Sequence, residues 1–339
     1  MLNSIQALRT LAAWLVVFHH YLQIVQNNQL TGPLPTALHL YGNIGVDLFF
    51  IISGFVIYLS AFEKNITPTT FAMHRLSRIV PAYWLFTLIS SEILLTAPTF
   101  IPLTQFEPIF LLKSLFFIPA QNPSGIGLFP LLTVGWTLNY EMIFYTVFLL
   151  CLFLPKSFRL PGLFIGIIVL QNFSTKLGSN FKFYENKIIY EFLIGIAIAL
   201  AYKIGLIQRL NSLAAVALTI TAGWMLVHFG PVTHNPWTFG IACALIVIAA
   251  ISKEKLFDKL GWITKLGDWS YSTYLCHVLI MCCWMAIQIR FNLDETLTFS
   301  LIIVSILAVS WASFTFIERP ISRFVKSTSK KTVQKPITP

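Results

Sequence analysis

Apolar runs long enough to cross a lipid bilayer recur from one end of this chain to the other, and that recurrence leaves few folds open. A spanning helix needs about 20 mostly apolar residues. Such runs fall at 5–25, 44–62, 79–97, 131–154, 162–172, 187–202, 212–229, 236–252, 271–288 and 297–316, the fifth being the shortest. The expected fold is an all-α polytopic membrane protein of about ten transmembrane helices. Charge usage agrees: 11% of the residues are charged and 56% are hydrophobic, where a soluble domain carries about 25% charge.

Lys and Arg set the orientation. With the N-terminus in the cytoplasm, Lys64, Arg75, Arg78, Lys156, Arg159, Lys203, Arg209 and Lys253 fall in inner connections, followed by the basic tail "RFVKSTSKKTVQKP". Lys113, Lys176, Lys182, Lys187 and Arg290 are left outside. The positive-inside rule then puts both termini in the cytoplasm. The net charge of +10 collects where anionic headgroups are, so membrane lipids are the expected partner of the excess and nucleic acid is not. Residues 1–325 read as one integral-membrane domain and 326–339 as a disordered cytoplasmic tail. Oligomeric state leaves no trace in the sequence.

The five cysteines lie inside expected spans and form no CxxC, so neither disulfides nor a metal site is expected. A cleaved signal peptide is not expected either, because Arg9, His19 and His20 interrupt the first run and no small-residue cleavage site follows. The connection 98–130 is long and proline-rich, with the apolar centre "IFLLKSLFFIP". Loops of that length are functional or disordered, and the apolar centre argues against disorder; it is expected to lie on or dip into the outer membrane surface.

Ionisable residues inside spans must face a protein interior or a wet cavity, which makes each a functional hypothesis. They are Arg9, His19, His20, Asp47, Glu92, Glu141, Glu191 and His277. Arg9 and His20 are eleven residues apart, which returns a helix to nearly the same azimuth about three turns, or roughly 16 Å, along its axis. One face of the first helix thus carries a cation near the cytoplasm and an imidazole deeper in. The imidazole is a candidate general base, and His19, a quarter-turn away, reads as a packed histidine. In "FAMHRLSRIVPAYW" Arg75 and Arg78 share a helix face, and their forks suit phosphate; the positive-inside rule alone also produces such a pair. In "VGWTLNYEMIFY" Glu141 lies below Trp136 and needs a partner such as His20 or an arginine. The alternative is a buried pair that only fixes helix packing. Asp47 stands among Gly42, Gly45 and Gly54, which permit close helix approach. Glu92 and Glu191 are within reach of headgroups, His277 and Glu318 read as scaffold, and Ser53 is a nucleophile or a packing residue.

Six segments, "LRTLAAWLVVFHH", "GVDLFFIISGF", "RLSRIVPAYW", "WTLNYEMIFY", "LGDWSYSTYLCHVLI" and "ERPISR", run in that order from about residue 5 to 325. Together they resemble the membrane-bound acyltransferase 3 family. That resemblance implies ten membrane helices in a bacterial inner (plasma) membrane. It also implies transfer of an acyl group, usually acetyl, from cytoplasmic acetyl-CoA to a hydroxyl of a surface or secreted glycan. It implies that Arg9 and His20 form the family's arginine and histidine motif, that Arg75 and Arg78 form its paired-arginine motif, and that Trp136 and Glu141 belong to its W-T-L-x-x-E element. His74 stands where many relatives carry a further arginine. The chain is similar to the stand-alone form without a fused SGNH domain. On this reading His20 and Glu141 are catalytic, Arg9, Arg75 and Arg78 hold the coenzyme, and Trp136 and Asp47 bind the glycan. A transporter or flippase of a small anionic or sugar substrate is the alternative, since intramembrane charge marks transport paths as well.

Overall fold

The computed structural model describes residues 2–26, 31–62 and 66–333, with side chains described as far as 328. Lys64 and residues 334–339 of the tail lie outside the described residues. Every regular element among the described residues is helical: α1 (Asn3–Ile24), α2 (Pro33–Tyr41), α3 (Ile44–Ile57), α4 (Pro68–Thr96), α5 (Pro108–Leu115), α6 (Trp136–Leu152), α7 (Lys156–Phe173), α8 (Tyr190–Lys203), α9 (Ser212–Phe229), α10 (Ile241–Ser252), α11 (Glu254–Phe257), α12 (Gly261–Phe291), α13 (Glu295–Ser313) and α14 (Arg319–Val333). The fold is all-α, as the apolar runs require.

Seven of these stretches are long and apolar enough to cross a membrane: Ile44–Phe62, Pro68–Thr96, Thr133–Leu152, Lys156–Leu177, Ser212–Phe229, Gly261–Phe291 and Glu295–Thr328. Three of the ten apolar runs fall outside these seven. α1 has the length, but Gln6, Arg9, His19 and His20 dilute its hydropathy. α8 spans only 14 residues, and Pro236–Ser252 is a shorter apolar helix. The short run at 162–172, by contrast, extends to Lys156–Leu177, because Pro161 sits near the start of α7, where little of the helix ladder precedes it. α14 extends as far as Val333.

α1 packs along α12 and α3, α3 along α8, α12 along α13, and α14 along α4. Where α3 crosses α8, a Cβ on Gly54 would strike the Phe192 backbone and one on Gly195 the Ile51 backbone. Only glycine permits that approach, which is the way helices associate where no hydrophobic effect drives them together. α9 lies at the other extreme, exposing Leu213, Val216, Ile220, Trp224 and Val227 at helical spacing. Such a stripe is a lipid-facing surface. The connection 98–130 is ordered: Tyr83 and Trp84 donate to the carbonyl oxygens of Ser114 and Leu115 at 3.0 and 2.9 Å, and Phe110, Ala120 and Leu131 form a small core with Leu94 and Leu279.

Candidate functional site

Arg9 and His20 open into two different cavities, one at each end of the α1 face they share. The first lies at the Arg9 end. Arg9 from α1, Arg75 and Arg78 from α4, Glu141 and Tyr145 from α6, and Tyr274 from α12 line it. Arg9 is 7% exposed and donates to Gln6 Oε1 at 3.2 Å. Arg75 donates through Nη2 to Ser60 Oγ at 2.6 Å, and its guanidinium lies 5.5 Å from the Phe71 ring centroid and 5.7 Å from that of Tyr145. Ser60 stands in the π-helical turn Tyr58–Phe62 that closes α3, and such turns often mark functional positions.

Among the described residues none of the three arginines has a carboxylate within ion-pair distance, and Arg75 Nε is buried without a hydrogen-bond partner. Guanidinium charge gathered in this way fits an anionic, phosphate-bearing ligand. Lys326 of α14 lies close enough to Arg75 and Arg78 to interact with both charges, and close enough to interact with His74. Glu141 belongs to this same cavity, where it accepts hydrogen bonds from Ser53 Oγ at 3.0 Å and from the Tyr145 hydroxyl.

The second cavity is lined by His20 and Gln23, by Leu103 and Phe129 of the long connection, and by Trp136 and Val278. The partner of His20 is not Glu141. His20 Nδ1 lies 3.1 Å from the Val16 carbonyl oxygen and 3.2 Å from Nε2 of His277, whose own Nδ1 lies 2.7 Å from the Tyr274 carbonyl oxygen. Hydrogen bonds link the linings of the two cavities. The Tyr274 hydroxyl donates to the Val134 carbonyl oxygen at 3.0 Å and accepts from Thr137 Oγ1 at 3.1 Å. Tyr274 and Thr137 face the arginines, and Val134 faces His20.

Asp47, expected to bind the glycan, lines neither of these two cavities. It is fully buried, and its Oδ2 lies 2.7 Å from Nδ1 of His234, whose ring is 5.8 Å from that of Trp136. The cause is local: a Cβ on Gly45 would strike the Ala12 carbonyl, so α3 begins hard against α1 and draws its first acid inside. Glu191 is also fully buried, beside Gly240, whereas Glu92 is exposed. His19 is buried with Nδ1 2.8 Å from the His39 carbonyl oxygen, a satisfied packed histidine. Sequence reasoning missed the site roles of Ser60, Tyr274 and Lys326, which are common residue types without a distinguishing spacing. His277, read as scaffold from the sequence, stands against His20.

Residues 2–315 match the acyltransferase domain of the acyltransferase 3 family. The chain is 31% identical over 289 residues to the exopolysaccharide production protein ExoZ of Rhizobium meliloti (strain 1021), an alignment covering 83% of this chain and 90% of that protein. It is 24% identical over 310 residues to the acyltransferase MdmB of Streptomyces mycarofaciens, covering 83% of this chain and 79% of that protein. No solved structure matches it. An all-helical bundle with arginines in one cavity, a histidine in the next, and a sequence match from residue 2 to 315 make this chain a member of the acyltransferase 3 family.

Proposed function

We propose that the protein transfers an acetyl group from cytoplasmic acetyl-CoA to a hydroxyl of a cell-surface or secreted glycan. The observation that carries this reading is the convergence of Arg9, Arg75 and Arg78 on one cavity without an ion-paired carboxylate among the described residues, backed by a cavity that holds His20. The arginines, with Lys326 beside them, hold the phosphates of the coenzyme from the cytoplasmic side, which the positive-inside rule assigns to their end of the bundle. When bound, acetyl-CoA supplies the thioester whose acyl carbon is attacked. Glu141 balances the charge of Arg9 and Arg75 on the donor side and is held there by Ser53 and Tyr145. His20 takes the acceptor's hydroxyl proton as the oxygen–carbon bond forms and returns it to the departing sulfur as the carbon–sulfur bond breaks. Trp136 presents an aromatic face to a sugar ring in the same cavity. A glycan acceptor is supported by the likeness to a protein named for exopolysaccharide production. Membership of an acyltransferase family weighs against transport.

The test is release of free coenzyme A from acetyl-CoA by the purified protein in nanodiscs, with and without a glycan extract of the host envelope. Release that depends on glycan and falls about 10²- to 10⁴-fold in His20→Ala, the range of general-base catalysis, is the expected result. No thioester cleavage by folded protein under any of these conditions overturns the reading.

A further inference from the structure

The rings of His20 and His277 admit one neutral arrangement of protons. A backbone carbonyl oxygen only accepts. His277 Nδ1, 2.7 Å from the Tyr274 carbonyl oxygen, therefore carries a proton, and a neutral imidazole then has a bare Nε2. That bare nitrogen lies 3.2 Å from His20 Nδ1, which also lies 3.1 Å from the Val16 carbonyl oxygen. Both neighbours are acceptors, so His20 Nδ1 carries its own proton and shares it between them. The lone pair of His20 is left on Nε2, and His20 lines the second cavity.

We propose that His277 is the positioning residue of His20: a second imidazole, anchored on the backbone of its own helix, holds His20 in the tautomer whose Nε2 is the base. The proposal rests on the acyl-transfer reading above and deepens it. In serine hydrolase triads a carboxylate takes this place, but Glu141 is bonded to Ser53 and Tyr145 in the other cavity. His277 is fully buried and lines neither cavity, so it acts through His20. Its place follows from packing, because α1 and α12 run along each other and bring the two rings to a centroid distance of 5.0 Å. A histidine partner also differs from a carboxylate in its consequence. The chain of hydrogen bonds ends at the Tyr274 carbonyl, which has no proton to give and no site to keep one. A proton shared with the bare Nε2 of His277 has no onward path and can only return to His20, so the net proton taken on His20 Nε2 leaves from Nε2, towards the departing sulfur, and the hydrogen bond from Nδ1 to His277 stabilises the imidazolium in between.

Nitrogen-15 spectra of histidine-labelled protein in nanodiscs distinguish ring tautomers, and the signals of the pair are those lost in His20→Ala and His277→Leu. Above the pH range in which imidazole titrates, both rings are expected with Nδ1 protonated and Nε2 bare. His20 found with its proton on Nε2 overturns the proposal whatever the turnover. His277→Leu is expected to lower kcat about 10- to 100-fold, the worth of a hydrogen bond to a charged group, with an unchanged KM for acetyl-CoA that also reports a folded donor site. His277→Gln, whose amide oxygen still accepts, is expected to recover most of that loss. A kcat in His277→Leu within about twofold of the unsubstituted chain overturns the proposal as well. Failure of the unsubstituted protein to cleave acetyl-CoA removes the acyl-transfer reading instead, and the spectra still decide the tautomer.

Discussion

The two cavities along α1 differ in how their polar side chains are held. In the first, Arg9, Arg75 and Glu141 each lean on a different helix or turn: Gln6 of α1, Ser60 of the π turn after α3, and Ser53 of α3 with Tyr145 of α6. In the second, His20 depends on its own helix backbone and on one neighbour, His277. The difference matches what each end is proposed to do. A polyanionic ligand is gripped by several charges, and losing one weakens binding by a part. A proton is moved by one nitrogen, and losing its support stops the chemistry.

Both cavities share α1 and α12, so the most damaging substitution is one that forces those helices apart. A Cβ on Gly267 of α12 would strike the backbone of Gln6, the residue that accepts from Arg9. Gly267→Val is expected to abolish acetyl-CoA binding and glycan-dependent turnover together and to lower the melting temperature in detergent. Overpacking at such a contact costs about 1–3 kcal/mol or more. Intact donor binding in that variant breaks the dependence of both cavities on one helix pair. Arg75→Ala separates the cavities instead. It is expected to raise KM for acetyl-CoA about 10- to 100-fold, the range for charge-assisted hydrogen bonds, and to leave KM for glycan unchanged. Arg75→Lys recovers part of the loss, because the charge returns while the planar fork over Phe71 and Tyr145 does not.

How much of this was legible in the sequence depends on how local each signal is. Helices longer than a bilayer is thick announce themselves by composition alone, and seven of the stretches do. The run 187–202 coincides with the helical stretch formed by Lys187–Ile189 and α8, which composition alone makes legible. Arg75 and Arg78 were legible because three residues along a helix fix a shared face, and both do line one cavity. Arg9 and His20 were legible for the same reason over three turns. The partner of His20 was not, because His277 is 257 residues away in the chain and no periodicity connects one helix to another. The same holds for Glu141, whose bond to Ser53 spans 88 residues. Asp47 shows a third case: its glycine-rich setting signalled close helix approach, and that approach is what buries the acid away from both cavities.

Smaller effects sharpen the comparison. Trp136→Ala removes the aromatic wall of the second cavity. It is expected to raise KM for glycan about 3- to 10-fold, the worth of one aromatic contact beyond its area, with KM for acetyl-CoA unmoved. A change in the donor constant instead would mean that Trp136 also supports the donor end, through the hydrogen bonds of Tyr274, Thr137 and Val134 that join the two cavities.

The smallest expected effect is the most informative about Glu141. Tyr145→Phe keeps the ring beneath Arg75 and deletes only the hydroxyl that donates to the carboxylate, and Ser53 remains as a donor. Because Ser53 still donates to the same carboxylate oxygen, the net loss is expected near the low end for a hydrogen bond, about 1 kcal/mol or about fivefold, rather than the larger cost of leaving a charged group unsatisfied. The expected change is a rise of that size in KM for acetyl-CoA and none in KM for glycan. Glu141→Gln sets the reference, and the double variant decides the route. If the Tyr145 hydroxyl acts through the carboxylate, removing both costs no more than removing Glu141 alone, whereas independent roles add. Additivity would separate Tyr145 from Glu141, and a change in glycan KM in either variant would return Glu141 to the cavity of His20.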